Sequence, residues 1–203
     1  MTTAPGTPTT PGTPDVPGLP DELYEHDGLV TKRAVRALAL AHLRPREGEL
    51  LWDLGAGSGS IAIEWVRACH TSTAIAVERD PLRAARATAN AARLADPARL
   101  QVRVSALVEA LPELRARAAP DAVFVGGGLS AQLVTSCLGA LGAGGRFVAH
   151  AVTLDTEQLL VEAYREHGGA LARVAVDQAE PLGRYLGWRP LRPVVQWSLV
   201  VSR

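Results

Sequence analysis

The twelve residues Glu49-Leu-Leu-Trp-Asp-Leu-Gly-Ala-Gly-Ser-Gly-Ser60 constrain the fold more than any other part of the chain. The apolar run 50–54 predicts a buried parallel strand. Glycines break it at 55, 57 and 59, and Ile61-Ala-Ile-Glu-Trp-Val66 then resumes with helical spacing. A strand that turns on glycines into a helix points backbone N–H groups at whatever sits over the helix N-terminus, which suits an anionic or polar ligand. Nineteen residues beyond Gly59, a second apolar strand (73–78) ends in Glu78. A carboxylate at that point can accept both hydroxyls of a ribose. Gly55, Ala56, Gly57, Ser58, Gly59 and Glu78 are therefore expected to hold a nucleoside cofactor.

The glycine spacing separates the cofactors. A dinucleotide loop follows G-x-G-x-x-G, with its third glycine allowing close helix–strand packing against a pyrophosphate. Here that third position is Ser60. The segment Asp53-Leu-Gly-Ala-Gly-Ser-Gly59 instead resembles motif I of the class I S-adenosylmethionine methyltransferases, which implies S-adenosylmethionine as the cofactor. NAD binding and a plain glycine turn in an α/β domain are the competing readings. Asp53, the three glycines and Glu78 together favour the methyltransferase motif.

The rest of the chain alternates in the same way. A helix begins near Thr31, at or next to its N-cap, and stops at Arg44-Pro45. Strands at 50–54, 73–78, 100–104, 122–125 and 146–149 alternate with helices at 60–68, 82–93, 107–116, 131–141 and 156–166. Two further strands, 170–176 and 194–200, are joined by a connection rich in Gly, Pro and Arg, with no helical pattern between them. The expected fold is α/β: the class I methyltransferase Rossmann-like arrangement, a seven-stranded, mostly parallel sheet with an antiparallel C-terminal strand at its edge and helices on both faces. Ligands of such sheets bind beyond the carboxyl ends of the strands. The residues to read there are Gly55–Gly59, Glu78, Ser105-Ala106, Gly126–Gly128 and His150–Thr153.

Length and charge bound the partners. At 203 residues the chain suits one domain at 21–203, preceded by a Pro/Thr/Gly-rich tail or linker at 1–20 with proline at every third position from 5 to 20. That position suits a fusion joint. The 21 basic and 21 acidic residues balance, and the arginines are spread along the helices, so nucleic acid is not an expected partner. Cys69 and Cys137 lack metal-ligand spacing and fit buried thiols in a reducing cytoplasm, with no metal expected. No stretch has the length and apolarity of a membrane span or a signal core.

The substrate side is distinctive for what it lacks. The fourth strand runs into Gly126-Gly127-Gly128, with no side chain to act as a base or to clamp an amine. The glycines either form an open floor for a flat, bulky acceptor or simply make a strained turn. Thr31-Lys-Arg-Ala-Val-Arg36, the stretch 51–65, Phe124-Val-Gly-Gly-Gly128, Ala151-Val-Thr-Leu-Asp155, Ala179-Glu-Pro-Leu-Gly183 and Gln196-Trp197 add a more specific likeness. From about Gly18 to its end the chain resembles the C15-methylating, decarboxylating domain of the precorrin-6Y (precorrin-6B) C5,15-methyltransferase family of cobalamin biosynthesis.

The resemblance implies methyl transfer from S-adenosylmethionine to C15 of a precorrin macrocycle and loss of CO2 from the ring C acetate. It also implies a C5-methyltransferase partner domain and a homo-oligomer, a tetramer. By the same likeness Thr31 lies near the methionine end of the cofactor, and Ala106 near the adenine. At the adenine turn this chain has Ser105-Ala-Leu-Val108 where the family has a Gly-x-Ala-Pro-like turn.

The remaining candidates are side chains at the strand ends. His150 closes the fifth strand and is placed to act as a general acid for the carbon left by decarboxylation. His26, in a loop that either closes over the site or stays at the surface, and Tyr185 are the alternatives. Thr153, Arg184, Arg189 and Arg192 are candidates for contacts to substrate carboxylates, because arginine pairs with carboxylate bidentately. The competing functions are a methyltransferase for another small molecule or for protein, and a non-catalytic nucleoside-binding partner subunit.

Overall fold

A computed structural model describes residues 18–202 of the chain. Its strands are β1 (Leu50–Leu54), β2 (Thr73–Glu78), β3 (Leu100–Val104), β4 (Ala122–Val125), β5 (Arg146–Ala151), β6 (Ala170–Val174), β7 (Asp177–Leu182), β8 (Tyr185–Pro190) and β9 (Val194–Val200). The helices are α1 (Arg33–Leu43), α2 (Ser60–Ala68), α3 (Pro81–Leu94), α4 (Leu107–Arg117), α5 (Ala131–Leu138) and α6 (Leu154–His167).

Seven strands form one sheet in the order β3-β2-β1-β4-β5-β9-β6, with β1 to β5 parallel. The strand order reverses beside β1, which pairs with β2 on one side and β4 on the other. The loops after β1 and β4 therefore leave the sheet next to each other, at the switch point where open α/β sheets bind ligands. Pleating sends alternate side chains to opposite faces. Leu51, Phe124 and Val148 pack under α1, α2 and α3, while Trp52, Leu54, Val123 and Phe147 pack under α4, α5 and α6.

The expected sheet holds, with one adjustment. The antiparallel strand β9 lies between β5 and β6, second from the edge rather than at it. Helix boundaries move where local chemistry dictates. Asp80 caps α3 by accepting from Leu82 N (2.8 Å) and Arg83 N (3.1 Å), so the helix opens at Pro81, a residue suited to a first helical position. Lys32, not Thr31, occupies the N-cap of α1. Helix α5 stops at Leu138 with Gly139 as its C-cap.

Two larger differences matter for function. The Gly/Pro/Arg-rich connection is an ordered β-hairpin, β7 paired with β8, exposed on both of its faces. And Gly18, Leu19 and Pro20, expected in the tail, pack onto the body, whereas residues 1–17 of that tail lie outside the described residues. The fully buried Glu64 carboxylate accepts from Gly18 N, Leu19 N (3.1 Å), Tyr24 OH (3.2 Å) and Arg36 Nε (2.5 Å). A buried carboxylate needs this many partners to offset its desolvation. Burial beside that carboxylate pushes the Tyr24 phenol well above its usual range. Cys69 is partly exposed rather than buried, and Cys137 is buried.

Candidate active site at the carboxyl edge of the sheet

The glycine loop is fixed from below by the strands that frame it. Val77 O, at the end of β2, accepts from both Gly55 N (2.9 Å) and Ala56 N (3.0 Å). Gly55 has φ +70°, and a Cβ there would stand 2.5 Å from Gly127 O, so only glycine fits. Gly59 packs against α3, where a Cβ would come within 3.2 Å of Ala87 Cβ. Gly57 by contrast faces open space.

Glu78 is buried at the tip of β2. Its two oxygens accept from Gly57 N (2.9 Å) and Asp80 N (2.9 Å). Each carboxylate oxygen offers two acceptor directions, so both retain capacity for a ribose hydroxyl. Ser105 N donates to the backbone oxygen of Glu78 (3.1 Å), which ties the turn at Ser105-Ala106 to the same point. Ala106 is half-buried and serves as the N-cap of α4.

Asp53 lies behind the loop. Its Oδ2 accepts from Ala62 N (3.0 Å) in the first turn of α2, while Oδ1 is buried and has no hydrogen-bond partner among the described residues. Burial first, and the nearby Glu78 charge second, push its carboxyl up to about 7.

A strap, residues 24–30, crosses above the glycine loop. It lines a narrow crevice in which Glu25, His26, Asp27 and Leu29 face Gly57, Ser58, Arg83 and Arg86. Asp27 pairs with Arg83 (2.8 Å) and Arg86 (3.6 Å), and the Arg83 bond holds its carboxyl below the usual range. The structure thus brings His26 to the glycine loop, with its Nδ1 accepting from Gly28 N (2.9 Å). Thr31 follows the strap directly, and its carbonyl accepts from Arg36 Nη1 (2.5 Å).

On the other side of the loop lie Gly126, Gly127 and Gly128. A Cβ on Gly126 would meet Gly55 O at 3.0 Å and the Phe124 ring at 3.1 Å, whereas the nearest atom to one on Gly127 is 4.0 Å away. The floor is therefore part close packing and part open surface. An open groove of about 480 Å³ runs from Gly128 between α4 and α5, past Leu107, Val108, Ser130 and Leu133.

His150 is buried at the end of β5, with Nε2 2.9 Å from Gln196 Oε1 and its ring 4.9 Å from Phe124, edge to face. Burial holds it neutral by pulling its pKa down to about 4. Thr153 is exposed, and its hydroxyl caps α6 by accepting from Thr156 N (3.3 Å). The hairpin is rooted beside this corner, since Val195 pairs with Ala151 and Val194 with Val174. At about 3.3 Å per residue its six-residue strands span about 20 Å, which puts Arg184 and Tyr185 far from its root. Arg184 stacks on the Tyr185 ring at 5.0 Å, and Arg189 Nε pairs with Glu180 at 2.5 Å.

Sequence reasoning missed two features. Leu29, Leu82, Val104, Val108, Val152 and Leu154 are exposed apolar side chains that all sit at the carboxyl edge of the sheet. Apart from Leu29 in the strap, their signal is position, at a strand end or a helix start. The second is Asn90, a polar residue on the apolar stripe Ala84, Ala87, Ala91, Leu94 of α3, and wholly buried.

The profile of the precorrin methyltransferase domain matches residues 22–201. The chain belongs to that family. It is 47% identical over 179 residues to a precorrin-6Y C(5,15)-methyltransferase [decarboxylating] of Sinorhizobium sp., an alignment covering 87% of this chain and 42% of that one. It is 32% identical over 174 residues to the cobalt-precorrin-6B C(15)-methyltransferase (decarboxylating) of Salmonella typhimurium, covering 81% and 85%. The crystal structure of the C-terminal domain of precorrin-6Y C5,15-methyltransferase from Rhodobacter capsulatus superposes with a TM-score of 0.83 at 42% identity, covering 91% of this chain and 98% of that one. The chain thus spans less than half the length of the longer curated relatives it matches. The precorrin methyltransferase domain includes every residue placed at the strand ends above, from the strap to the hairpin.

Proposed function

We propose that this chain transfers the methyl group of S-adenosylmethionine to C15 of a precorrin and removes the ring C acetate as CO2. The observation that carries this reading is the acceptor floor, Gly126 to Gly128, which offers a surface and no side-chain base. A meso carbon of a reduced tetrapyrrole is enamine-like and supplies its own nucleophile. The protein then has to align that carbon and exclude water rather than remove a proton. The exposed apolar rim, Leu29, Val152 and Leu154 among it, suits the face of a flat macrocycle. The coverage supports the same reading, because the chain accounts for 85% of a C15-methylating relative and 42% of a C5,15-methylating one. On this reading a C5-methylating domain is a separate partner or a fused one.

The residues present fit the cofactor. Gly57 faces open space, Glu78 keeps acceptor capacity for a ribose, and Asp53 Oδ1 is an acceptor awaiting a donor beside the loop. When bound, S-adenosylmethionine supplies an electrophilic methyl on a sulfonium. Glu78 fixes the nucleoside end, the backbone at Ala106 borders the adenine, and Thr31 lies toward the methionine end. Decarboxylation breaks the bond between the acetate carboxyl and its methylene. The electron pair stays in the macrocycle, and a proton is taken up at the carbon. His150, or else His26, gives that proton, since Tyr185 sits at the far end of the hairpin from the His150 corner. Arg184, Arg189, Arg192 and Thr153 are the candidates for the remaining carboxylates.

The test is a single-turnover reaction of the purified protein with S-adenosylmethionine and a precorrin that lacks the C15 methyl and keeps its ring C acetate. Mass spectrometry should find one methyl gained and one CO2 lost. Consumption of S-adenosylmethionine with an unchanged precorrin would favour another acceptor, and binding without turnover a non-catalytic partner.

A further inference from the structure

We infer that Asn90 is a positioning residue that joins the strap over the site to the glycine loop beneath it, so that cofactor on the loop sets the order of the strap. The inference rests on the proposed cofactor assignment of that loop.

Asn90 is 0% exposed in the last turns of α3. Its Oδ1 accepts from Glu25 N (2.8 Å) and Arg93 Nη2 (2.9 Å), and its Nδ2 donates to Glu25 O (2.9 Å) and Ser58 O (3.0 Å). An amide side chain has two donors and two acceptor directions, and here all four are used. Three of the four go to backbone groups in two separate segments. Glu25 gives both its N–H and its C=O, which fixes the strap as a strand neighbour would. Ser58, in the middle of the glycine loop, takes the remaining N–H. Arg93 Nη2 also holds Leu23 O (2.8 Å), so the guanidinium on Oδ1 is itself bound to the segment before the strap.

An alanine at 90 would continue the apolar stripe of α3 and suit a helix better than asparagine does. A buried amide is tolerated only when its partners are met, and they are met here by the two backbones that border the cofactor. The strap is also tethered by Tyr24 OH on the buried Glu64 and by the screened pairs of Asp27 with Arg83 and Arg86, but Asn90 is the side chain that bonds both the strap and Ser58 of the glycine loop, so it is the part that transmits position between them.

Asn90→Asp keeps the size and the acceptor on Arg93 but turns an oxygen toward the Glu25 and Ser58 carbonyls. A second variant acts from the strap side. Glu25→Pro removes the N–H that Asn90 accepts, together with the exposed Glu25 carboxylate 3.9 Å from Arg93, and Tyr24 is already extended (φ −97°, ψ 131°), as a following proline requires. Hydrogen exchange of residues 24–30 is measured with and without S-adenosylhomocysteine, alongside a calorimetric titration. In the wild type, bound S-adenosylhomocysteine should slow exchange in the strap by about tenfold, and in either variant that slowing should vanish while binding itself weakens only several-fold. Thermal unfolding and circular dichroism establish that each variant is folded, and Glu25→Pro decides if Asn90→Asp is not. Full retention of the slowing in a folded variant would overturn the inference, as would a wild-type strap indifferent to bound ligand. Wild-type protein that does not bind S-adenosylhomocysteine would sink the cofactor assignment and the inference together, and the titration identifies that case.

Discussion

Gly55 and Gly127 meet backbone to backbone at the switch point, so closely that a Cβ on Gly55 would lie 2.5 Å from Gly127 O and 2.7 Å from Gly127 N. The reverse does not hold, because a Cβ on Gly127 has nothing nearer than 4.0 Å. One contact therefore separates two roles. Gly55 is required by the fold, and Gly127 leaves open space that the proposed acceptor would border.

Gly55→Ala should destabilise the protein by about 2–5 kcal/mol, the sum of a left-handed backbone and an overpacked contact. Gly127→Ala should change the unfolding midpoint little. Gly127→Val should keep S-adenosylhomocysteine affinity and abolish turnover of the precorrin, since the branched side chain fills the acceptor floor. Parallel loss of cofactor binding in Gly127→Val would show the glycines serving the fold alone.

Glu78, at the tip of β2, holds the glycine loop through Gly57 N and the start of α3 through Asp80 N. Replacing it by Ala should weaken S-adenosylmethionine binding by about 1.5–3 kcal/mol, through the loss of a charged acceptor for the ribose. Glu78→Gln should fall between the two, since it keeps one oxygen and the side-chain length. Calorimetric titration with unchanged affinity for Glu78→Ala would remove the ribose assignment.

Asp53 gives a pH signature. Its carboxyl is raised from 3.8 to about 7 in the folded state, chiefly by burial. Between those values the folded protein binds a proton that the unfolded chain has released, so this group makes stability fall as pH rises from about 4 to about 7. Asp53→Asn removes that slope. Chemical denaturation from pH 5 to 8 should show the variant gaining on the wild type as pH rises, and a constant difference would mean that Asp53 is ionised throughout.

Much of this site could be read from the sequence, for physical reasons that differ by element. The strands β1, β2 and β4 are short, mostly apolar runs and β3 alternates apolar with polar residues, and the limits of all four fall where the pattern puts them. Glu78 and the glycine loop are local signals, because Glu78 ends one strand and the loop directly follows another. The hairpin was not legible as strands. Asp177–Leu182 and Tyr185–Pro190 include Pro181, Gly187 and Pro190 and leave large apolar side chains exposed, so neither alternation nor propensity marks them. Asn90 was not legible because its meaning lies in two backbone segments 32 and 65 residues away. Only a fold brings Glu25 and Ser58 to one side chain.

The exposed hairpin predicts assembly. A lone two-stranded ribbon is marginal in water, and this one exposes Leu182, Tyr185, Leu186 and Trp188. A second copy of the chain is the proposed cover, in a tetramer as the family resemblance implies. Light scattering after gel filtration should give an oligomer for the wild type and a monomer for the double variant Leu186→Glu, Trp188→Glu, with far-UV dichroism unchanged. A monomeric wild type would refute the assembly.

His150 is the sharpest test of the second reaction. Its ring is held neutral, its pKa lowered from 6.5 to about 4 by burial, against the opposing effect of the Gln196 bond. The unfolded chain takes up a proton over that window and the folded one does not, so this group makes stability fall as pH drops from about 6.5 to about 4. This is the opposite sign to Asp53 over the same range, and each single variant isolates one contribution. His150→Asn should therefore lose less stability than the wild type on acidification. If His150 donates the proton to the decarboxylated carbon, its charged form is scarce near neutrality, and decarboxylation should quicken toward acid pH while methylation does not. In His150→Asn that acceleration should disappear, and a product that is methylated but keeps its acetate should accumulate. Quenched single turnovers resolve the two products by mass. Equal rates for both steps in the variant would leave His150 as a packing partner of Phe124 and Gln196, and His26→Asn would be put through the same measurement.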